Sequence, residues 1–299
     1  MNSLKQNNLF WPSFKSNERI YTKDELETTN GFLIDKPRIC SNNQKNDSPK
    51  HLIVICFSSV YNFEMRKVIR ETWGSIVRKR RLTMYFIVGL VHPEWNNRSM
   101  IQEMIMAEDA QYNDILQTQF IDSYRNLTLK TIAMMGWLSE YNCTDHDRYV
   151  LKVDDDMLVN IDEIDQYAQS NPIPNGRTFI GRLAINWKPF RNPRSKYYCP
   201  ESIYKGKYYP KFVSGPSYMF TIDAAEPLFK QAKLDSNVFY LEDVYITGIL
   251  SERLGINRTN HLSFTNIHSY IKRNDSLRHW TSHDWNATQL RSYWKQFLL

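Results

Sequence analysis

Apolar runs alternate along this chain with stretches of helical periodicity, beginning near residue 50. The runs predict strands at 51–57, 82–89, 114–120, 148–153, 177–183 and 217–221. The periodic stretches predict helices at 64–77, 126–141, 243–254 and 288–297, the third ending at Gly255, a natural residue after a helix. Strands that alternate with helices predict an α/β fold, with a mostly parallel sheet and helices on both faces. Ligands are then expected beyond the carboxyl ends of the strands.

Composition divides the chain into two parts. Residues 1–48 are polar, rich in Asn and without periodicity, which predicts a stem or linker. Residues 49–299 are predicted to be the folded part of the chain, as one large α/β domain or two small ones. The full chain of 299 residues is 42% hydrophobic, which is enough for a large core.

Three consecutive acids follow the apolar run 149–153. In an extended segment alternate side chains share a face, so Asp154 and Asp156 are expected on the same side of the strand, with Asp155 between them. Three adjacent like charges are costly unless a cation neutralises them. A hard divalent cation with oxygen ligands does so and commonly also binds substrate phosphates. The alternative from these residues alone is a solvated acidic turn.

Basic residues outnumber acidic ones by 38 to 32, which gives a net charge of +6. The cluster at 78–81 could form a nucleic-acid patch, although a solvated edge after a helix is the simpler interpretation. The stretch 171–216 is rich in Pro, Lys, Arg and Tyr, and such an irregular stretch is where the pocket for a second substrate is expected.

Glycosylation sequons indicate a compartment. Their number exceeds what the Asn and Ser/Thr content leads us to expect, and they lie at Asn46, Asn97, Asn126, Asn142, Asn257, Asn274 and Asn286. They favour the lumen of the secretory pathway, where Cys143 and Cys199 become candidates for a disulfide. No segment approaches the roughly 18 apolar residues that span a bilayer. The expectation is therefore a membrane anchor that is absent from this chain; a cytosolic protein with chance sequons is the alternative.

Six ordered motifs between about residues 50 and 296 resemble a known family. They are Arg66-x-x-x-Arg70-x-Thr72-Trp73-Gly74, Asp122-x-Tyr124-x-Asn126, Lys152-x-Asp154-Asp155-Asp156, Ser214-Gly215 before Tyr218, Glu242-Asp243-Val244-Tyr245, and His283 with Leu290 and Trp294. In order and spacing they resemble the β-1,3-galactosyltransferase and β-1,3-N-acetylglucosaminyltransferase family, to which fringe is distantly related.

This resemblance implies that residues 49–299 form a single catalytic domain with a GT-A nucleotide-sugar-binding fold. It also implies an inverting hexosyltransferase that forms a β-1,3 linkage. The donor would be a UDP-sugar carrying galactose or an N-acetylhexosamine, and the cofactor would be Mn²⁺. The acceptor would be a glycan hydroxyl on a glycoprotein or glycolipid, and no nucleic acid is expected as a partner. The location implied is the Golgi lumen, with a type II membrane anchor.

The resemblance also implies roles at the donor side of the site. Asp156 is expected to ligate Mn²⁺, with His283 closing the metal or diphosphate site. Asp154 and Asp155 are expected to touch the ribose or to ligate the metal through water. Lys152 would pair with these acids.

Further residues are expected at the phosphate and acceptor sides. Arg66 and Arg70 suit phosphate or uracil-side contacts because a guanidinium is a planar, permanently charged donor. A solvated helix face is the alternative for Arg70. Asp243 is expected to be the general base that deprotonates the acceptor hydroxyl, and Glu242 a substitute or an acceptor contact. A helix cap is the alternative for Asp243.

Two other classes of function remain open from the sequence. A glycan-binding relative could keep the scaffold without turnover. A metal-dependent phosphoryl-transfer enzyme or nuclease could use the acidic triplet together with the basic clusters, although the chain has no P-loop motif.

Overall fold

The computed structural model describes residues 20–37, 51–140, 149–171, 176–268 and 279–297. The strands in this part of the chain are β1 Phe32–Ile34, β2 Leu52–Phe57, β3 Thr83–Leu90, β4 Ile115–Ile121, β5 Tyr149–Asp154, β6 Leu158–Val159, β7 Thr178–Ala184, β8 Phe212–Thr221, β9 Asn257–Asn260 and β10 Thr281–Ser282. The helices are α1 Lys23–Glu27, α2 Phe63–Glu71, α3 Trp73–Lys79, α4 Arg98–Tyr112, α5 Leu127–Ser139, α6 Ile161–Ser170, α7 Ala225–Leu234, α8 Ser251–Arg253 and α9 Ala287–Phe297. A π-helical segment, Val244–Leu250, runs directly into α8.

One large mixed sheet organises the described residues. Its order is β1-β4-β3-β2-β5-β8-β7-β9, and β10 pairs separately with β6. Strands β4, β3, β2 and β5 are parallel to their neighbours in that run, as are β7 and β9, whereas β8 is antiparallel to both β5 and β7. The predicted α/β fold, with a mostly parallel sheet, is confirmed.

Helices cover both faces of the sheet, as predicted. Strand β2 shows why: Ile53, Ile55 and Phe57 enter the core beneath α5, α7 and the π-helical segment. Leu52, Val54 and Cys56 enter the other core, beneath α2, α3, α4, α6 and α9. A strand buried on both faces in this way has a continuous apolar sequence.

A buried ion pair connects the sheet to α5. Asp122 accepts hydrogen bonds from the backbone N–H groups of Val60 and Gly89, and its other oxygen pairs with Lys130 Nζ at 2.8 Å. Gly89 is required here, because a Cβ at this position would lie 2.7 Å from the Asp122 backbone. The Asp122 motif therefore fixes the carboxyl ends of β2 and β3.

The helix predicted at 64–77 is wrong as a single element. Helix α2 ends at Glu71 and α3 begins at Trp73, with Thr72 between them outside helical geometry. The break turns Trp73 inward, where its Nε1 donates to the carbonyl of Met157 at 3.0 Å. A tertiary hydrogen bond of this kind leaves no trace in the apolar periodicity, which continues across the break.

The stem predicted for residues 1–48 is wrong for residues 20–37, which fold onto the domain. Strand β1 pairs antiparallel with β4, and Leu26 is buried against the core beneath α5. Lys36 Nζ also pairs with Asp109 of α4 at 2.6 Å. Elements of three to five residues are too short for periodicity to reveal. The rest of 1–48 lies outside the described residues.

The structure describes several of the residues on which the predicted secretory compartment depends. Asn126 is only 6% exposed, and its Nδ2 donates to the carbonyl of Ile121 at 2.7 Å, so its sequon is inaccessible in the folded state. Asn97, Asn257 and Asn286 are exposed. Cys199 is a buried free thiol, and its predicted partner, Cys143, lies outside the described residues. Within the described ranges, no helix has the length and apolar character needed to cross a bilayer.

We expect Leu26→Ala to destabilise the protein by about 2 to 5 kcal/mol, the usual cost of a cavity in a core. Leu26 is 4% exposed. Leu33→Ala is the matched control, because Leu33 lies in the same segment and is 56% exposed. The measurement is urea unfolding of both variants. Equal midpoints for Leu26→Ala and the parent would show that this segment does not pack in solution.

Candidate active site

The acidic triplet lies where β5 leaves the sheet, as the sequence predicts. Strand β5 runs parallel to β2, with Asp154 opposite Phe57. The next residue, Asp155, still donates its backbone N–H to the carbonyl of Phe57 at 3.0 Å. The residues that follow β2 therefore lie beside the triplet, because parallel strands end at the same edge.

Lys152 neutralises the first acid. Its Nζ lies 2.6 Å from Asp154 Oδ1 and donates to the carbonyl of Gly215 at 2.6 Å. Burial opposes the charge of Lys152, but Asp154 and Glu242 outweigh it and raise the pKa. Burial raises the pKa of Asp154, although Lys152 opposes that shift. The predicted pairing of Lys152 with the acids is present.

Asp155 is held by two side chains from the loop after β2. Ser58 Oγ donates to its Oδ2 at 2.7 Å, and Asn62 Nδ2 donates at 2.9 Å. Burial raises the pKa of Asp155 to about 6, although both hydrogen bonds act in the opposite direction. These contacts fix the middle carboxylate at the edge of the sheet. The region bounded by the acidic triplet, Gly215 and Asp243 is here called the cleft.

Asp156 and His283 meet because β6 and β10 pair directly beyond the triplet. Ser282 is opposite Leu158 in this pairing, and the next residue, His283, places its Nε2 3.2 Å from Asp156 Oδ2. The backbone is secured by a 2.9 Å hydrogen bond from Trp285 N–H to the carbonyl of Asp156. Two sequence-predicted metal ligands are thus brought together from positions 127 residues apart in the chain.

The donor set at this point fits a divalent cation. One oxygen or nitrogen each from Asp156, His283 and Asp284 lies within 4.8 Å of the others. Asp156 Oδ1 is sealed from solvent and has no hydrogen-bond partner in the described part of the chain, so this oxygen is free to ligate. Burial alone would lower the pKa of His283, but the hydrogen bond to Asp156 outweighs burial and the pKa is raised. A bound cation would displace that proton.

Asp243 faces the cleft from the other side of Lys152. Its Oδ2 accepts the Gly215 N–H at 3.1 Å, and its Oδ1 accepts the Val244 N–H at 2.9 Å. Burial raises the pKa of Asp243 despite these two hydrogen bonds. Asp243 is therefore both a backbone cap, as the alternative predicted, and a half-buried carboxylate with elevated proton affinity.

The backbone that carries Asp243 continues as a π-helix, which has wider turns than an α-helix. Thr247 fixes its first turn, because its Oγ1 donates to the Asp243 carbonyl at 2.7 Å and accepts the Val213 N–H at 2.8 Å. The helix predicted at 243–254 is present, but its geometry was not predictable from the apolar spacing.

Glu242 lies behind the cleft wall. Its Oε1 accepts hydrogen bonds from Tyr218 OH at 2.7 Å and Thr131 Oγ1 at 3.0 Å. Burial raises its pKa to about 7, with Lys152 opposing the shift. This placement does not fit the predicted acceptor contact, because the carboxylate is buried and already bonded on the protein side. The sequence places Glu242 next to Asp243 but cannot show which of the two faces inward.

Arg66 and Arg70 also differ from their predicted placement. Both are buried in ion pairs with Glu108 at 2.7 Å, and Arg70 pairs in addition with Asp114 at 2.7 Å. Arg66 has no exposed surface, which does not fit a direct donor contact, and Arg70 is not on a solvated face. The partners Glu108 and Asp114 lie about 40 positions away, so sequence spacing could not reveal them.

Sequence reasoning missed several groups at this site. Ser58 and Asn62 follow β2, and the rule that ligands gather at the carboxyl ends of neighbouring parallel strands could have identified them. Asp284 adjoins His283, and its backbone is left-handed with φ of 66°. Tyr124 is partly buried near the cleft, where burial first, and then Tyr197, Asp243 and Asp154, raise its pKa.

Comparisons with known proteins identify the relatives of this chain. A sequence model of the galactosyltransferase family matches residues 64–262. The chain is 34% identical over 272 residues to "Beta-1,3-galactosyltransferase 2" of Homo sapiens, which covers 88% of this chain and 61% of that protein. It is 34% identical over 236 residues to "Beta-1,3-galactosyltransferase 1" of Mus musculus, covering 78% of this chain and 68% of the relative.

Solved structures resemble the fold only weakly. A glycosyltransferase involved in glycosylation of the major capsid of PBCV-1 aligns with a TM-score of 0.36 at 9% identity, covering 82% of this chain and 100% of the other. At this level of similarity no argument about the site follows.

We expect Glu242→Gln to change how stability depends on pH. The unfolded carboxyl titrates near 4.5 and the folded one at about 7, so its contribution is fully present below pH 4.5 and is lost as pH rises through 7. Relative to Glu242→Gln, the parent should lose about 3 kcal/mol of unfolding free energy over this interval. Urea unfolding across the interval measures the difference.

Glu226→Gln is the control for that measurement. The hydrogen bond from Lys230 lowers the pKa of Glu226 from 4.5, so the contribution of Glu226 to stability is lost only below pH 4.5. Glu226→Gln should therefore keep the pH profile of the parent between pH 4.5 and 7. Parallel pH profiles for the parent and Glu242→Gln would contradict a raised pKa at Glu242.

Proposed function

This chain belongs to the galactosyltransferase family, and from that premise we propose that it is an inverting hexosyltransferase. It moves galactose or an N-acetylhexosamine from a UDP-sugar to a glycan hydroxyl and forms a β-1,3 linkage. The acceptor is carried on a glycoprotein or glycolipid. The chain spans 61% of the length of the human relative, so the assignment concerns the activity of the described domain.

The observation that carries the proposal is the arrangement at Asp156. Its unpartnered Oδ1, together with His283, offers a carboxylate and an imidazole at the open edge of the sheet. Mn²⁺ bound there would act as a Lewis acid on the departing diphosphate of the donor. Asp154 and Asp155 are held beside this position by Lys152, Ser58 and Asn62. They would contact the ribose of the donor or ligate the metal through water.

Asp243 is the proposed general base. It is half-buried, its raised pKa favours proton acceptance, and the Gly215 and Val244 N–H groups hold it in one orientation. The acceptor hydroxyl loses its proton to Asp243 as it attacks the anomeric carbon. A single displacement of this kind inverts the configuration and forms no covalent intermediate with the protein.

Glu242 and Arg66 have roles that differ from those expected from the sequence. Glu242 acts through Lys152 and Tyr218 as an electrostatic neighbour of Asp243, without touching substrate. Arg66 supports the loop after β2, because its Nη1 donates to Ser58 Oγ at 3.2 Å and to the Ser59 carbonyl at 2.6 Å. A Golgi-lumen location with a type II membrane anchor is part of the proposal.

We expect Asp156→Asn to abolish transfer and to weaken Mn²⁺-dependent binding of UDP by at least about tenfold, because an amide is a poorer ligand than a carboxylate. Calorimetric titration with UDP, with and without Mn²⁺, measures the loss. Asp24→Asn is the control, since Asp24 is an exposed acid in α1. Unchanged UDP affinity in Asp156→Asn would show that Asp156 is not a ligand of the metal.

We expect Asp243→Asn to lower kcat by about 10²- to 10⁴-fold, the usual contribution of a general base, while UDP affinity stays nearly unchanged. A transfer assay with UDP-Gal, UDP-GlcNAc and UDP-GalNAc in Mn²⁺ measures kcat and identifies the donor. UDP binding by the same variant shows that its cleft is folded. Normal turnover in Asp243→Asn would make the base assignment wrong.

A further inference from the structure

One loop carries the whole net charge of the chain. Residues 185–211, here called the basic loop, connect β7 to β8 and contain seven Lys and Arg residues against one acid, Glu201. The loop therefore has a net charge of +6, equal to that of all 299 residues. The other residues balance at 31 basic and 31 acidic.

The cations of the basic loop point into solvent without carboxylate partners. Six are exposed and form no ion pair within the described ranges: Lys188, Arg194, Lys196, Lys205, Lys207 and Lys211. Some surface cations elsewhere are paired, for example Arg253 with Asp235 and Arg291 with Glu64. An unpaired cluster on an otherwise balanced protein produces a local positive potential that attracts anions.

The basic loop is ordered despite its lack of helix or strand. Its seventh cation, Arg191, lies inside it and donates to the carbonyls of Cys199 at 2.6 Å and Tyr204 at 2.8 Å. Cys199 N–H in turn donates to the Phe190 carbonyl at 2.8 Å, and Tyr209 N–H donates to that of Trp187 at 2.9 Å. Hydrogen bonds across the loop thus fix the backbone from which the exposed cations project.

Exposed aromatic rings alternate with these cations. Trp187 and Phe190 are about half exposed, and Tyr208 lies beneath Lys188 and Lys207, with Nζ-to-centroid distances of 5.8 and 5.6 Å. Aromatic faces offer flat apolar surface to the C–H faces of sugar rings, and the ammonium groups beside them suit acidic substituents.

The basic loop adjoins the proposed catalytic cleft. Lys196 Nζ lies 5.7 Å from the Tyr124 ring centroid and 4.8 Å from that of Tyr197. Tyr124 is in the electrostatic environment of Asp243. The loop also leads directly into β8, whose Gly215 N–H binds Asp243. The charged surface is therefore continuous with the side of the cleft where the acceptor hydroxyl must arrive.

We propose that the basic loop recognises an acceptor glycan that carries anionic groups, sulfate or uronate, on sugars beyond the one that receives the transferred residue. The inference rests on the proposed glycosyl transfer and adds the chemical class of its acceptor. A glycan is favoured over an anionic membrane because ring faces and cations alternate on a fixed surface that leads into the cleft. A lipid surface would require only the charge.

The test is binding of three hexasaccharides to the full chain, without donor or metal: chondroitin sulfate, its desulfated form and neutral chitohexaose. We expect affinity to fall in that order and to decrease with added salt. The triple variant Lys188→Gln, Lys196→Gln and Lys207→Gln should bind the sulfated hexasaccharide about tenfold more weakly.

The matched control removes the same charge elsewhere. Lys23→Gln, Lys67→Gln and Lys79→Gln change three exposed lysines outside the loop and should leave the affinity unchanged. Equal losses of affinity for the sulfated hexasaccharide in both triple variants would show that binding depends only on net charge, and would overturn the proposal. A parent that binds neither anionic hexasaccharide more tightly than neutral chitohexaose would also overturn it. Loop-dependent binding to phosphatidylserine vesicles, without glycan binding, would assign the surface to membranes instead.

The inference and the proposed function fail in different ways. Loop-dependent glycan binding by a chain that never transfers sugar from a UDP donor would contradict only the proposed activity. Transfer to neutral acceptors that is equally efficient in the loop triple variant, together with unchanged binding of the sulfated hexasaccharide, would contradict only the role of the loop. UDP binding by the loop variant reports that its donor site is intact.

Discussion

The need to bury several carboxylates around one lysine is the constraint on which this site depends. Lys152 is buried, bonds Asp154 directly and interacts electrostatically with Glu242 and Asp243. Removing such a cation from its partners would leave uncompensated charges in a poorly solvated region. Strand β5 brings Lys152 and Asp154 together, while β8 supplies the Gly215 carbonyl that accepts the same ammonium group. The sheet and the site are therefore stabilised by the same contacts.

The central part of the fold was readable from the sequence because its strands are buried on both faces. The runs at 51–57 and 148–153 became β2 and β5 within a residue of their predicted limits. Helices α6 and α7 were missed, although each has ten residues and buries apolar positions at helical spacing. The other elements missed were of two kinds. Short ones, such as β1 and β10, owe their existence to a pairing partner elsewhere in the chain. Helix α4 has many exposed apolar residues, so its helical stripe is weak.

The site was readable where chemistry is local and unreadable where it depends on distant partners. The acidic triplet can be identified in the sequence because three like charges follow an apolar run. The structure places His283 beside Asp156, as the resemblance implied. For the other predicted residues, burial determines whether the side chain can contact substrate. Arg66 and Glu242 both belong to motifs of the family, yet each is bonded to residues inside the protein. A motif marks a residue that matters to the site without stating whether it touches substrate.

The wide-turned helix after Asp243 lets this part of the chain change length without redirecting the carboxylate. A π-helical segment accommodates an additional residue within an otherwise α-helical register. Losing one residue between Val244 and Leu250 would restore ordinary α-helical turns and would leave Asp243 facing nearly the same direction relative to α8. The same loss in a regular α-helix would rotate a side chain by roughly 100° about the helix axis. Divergence among relatives could therefore include a one-residue deletion in this stretch that keeps the site intact.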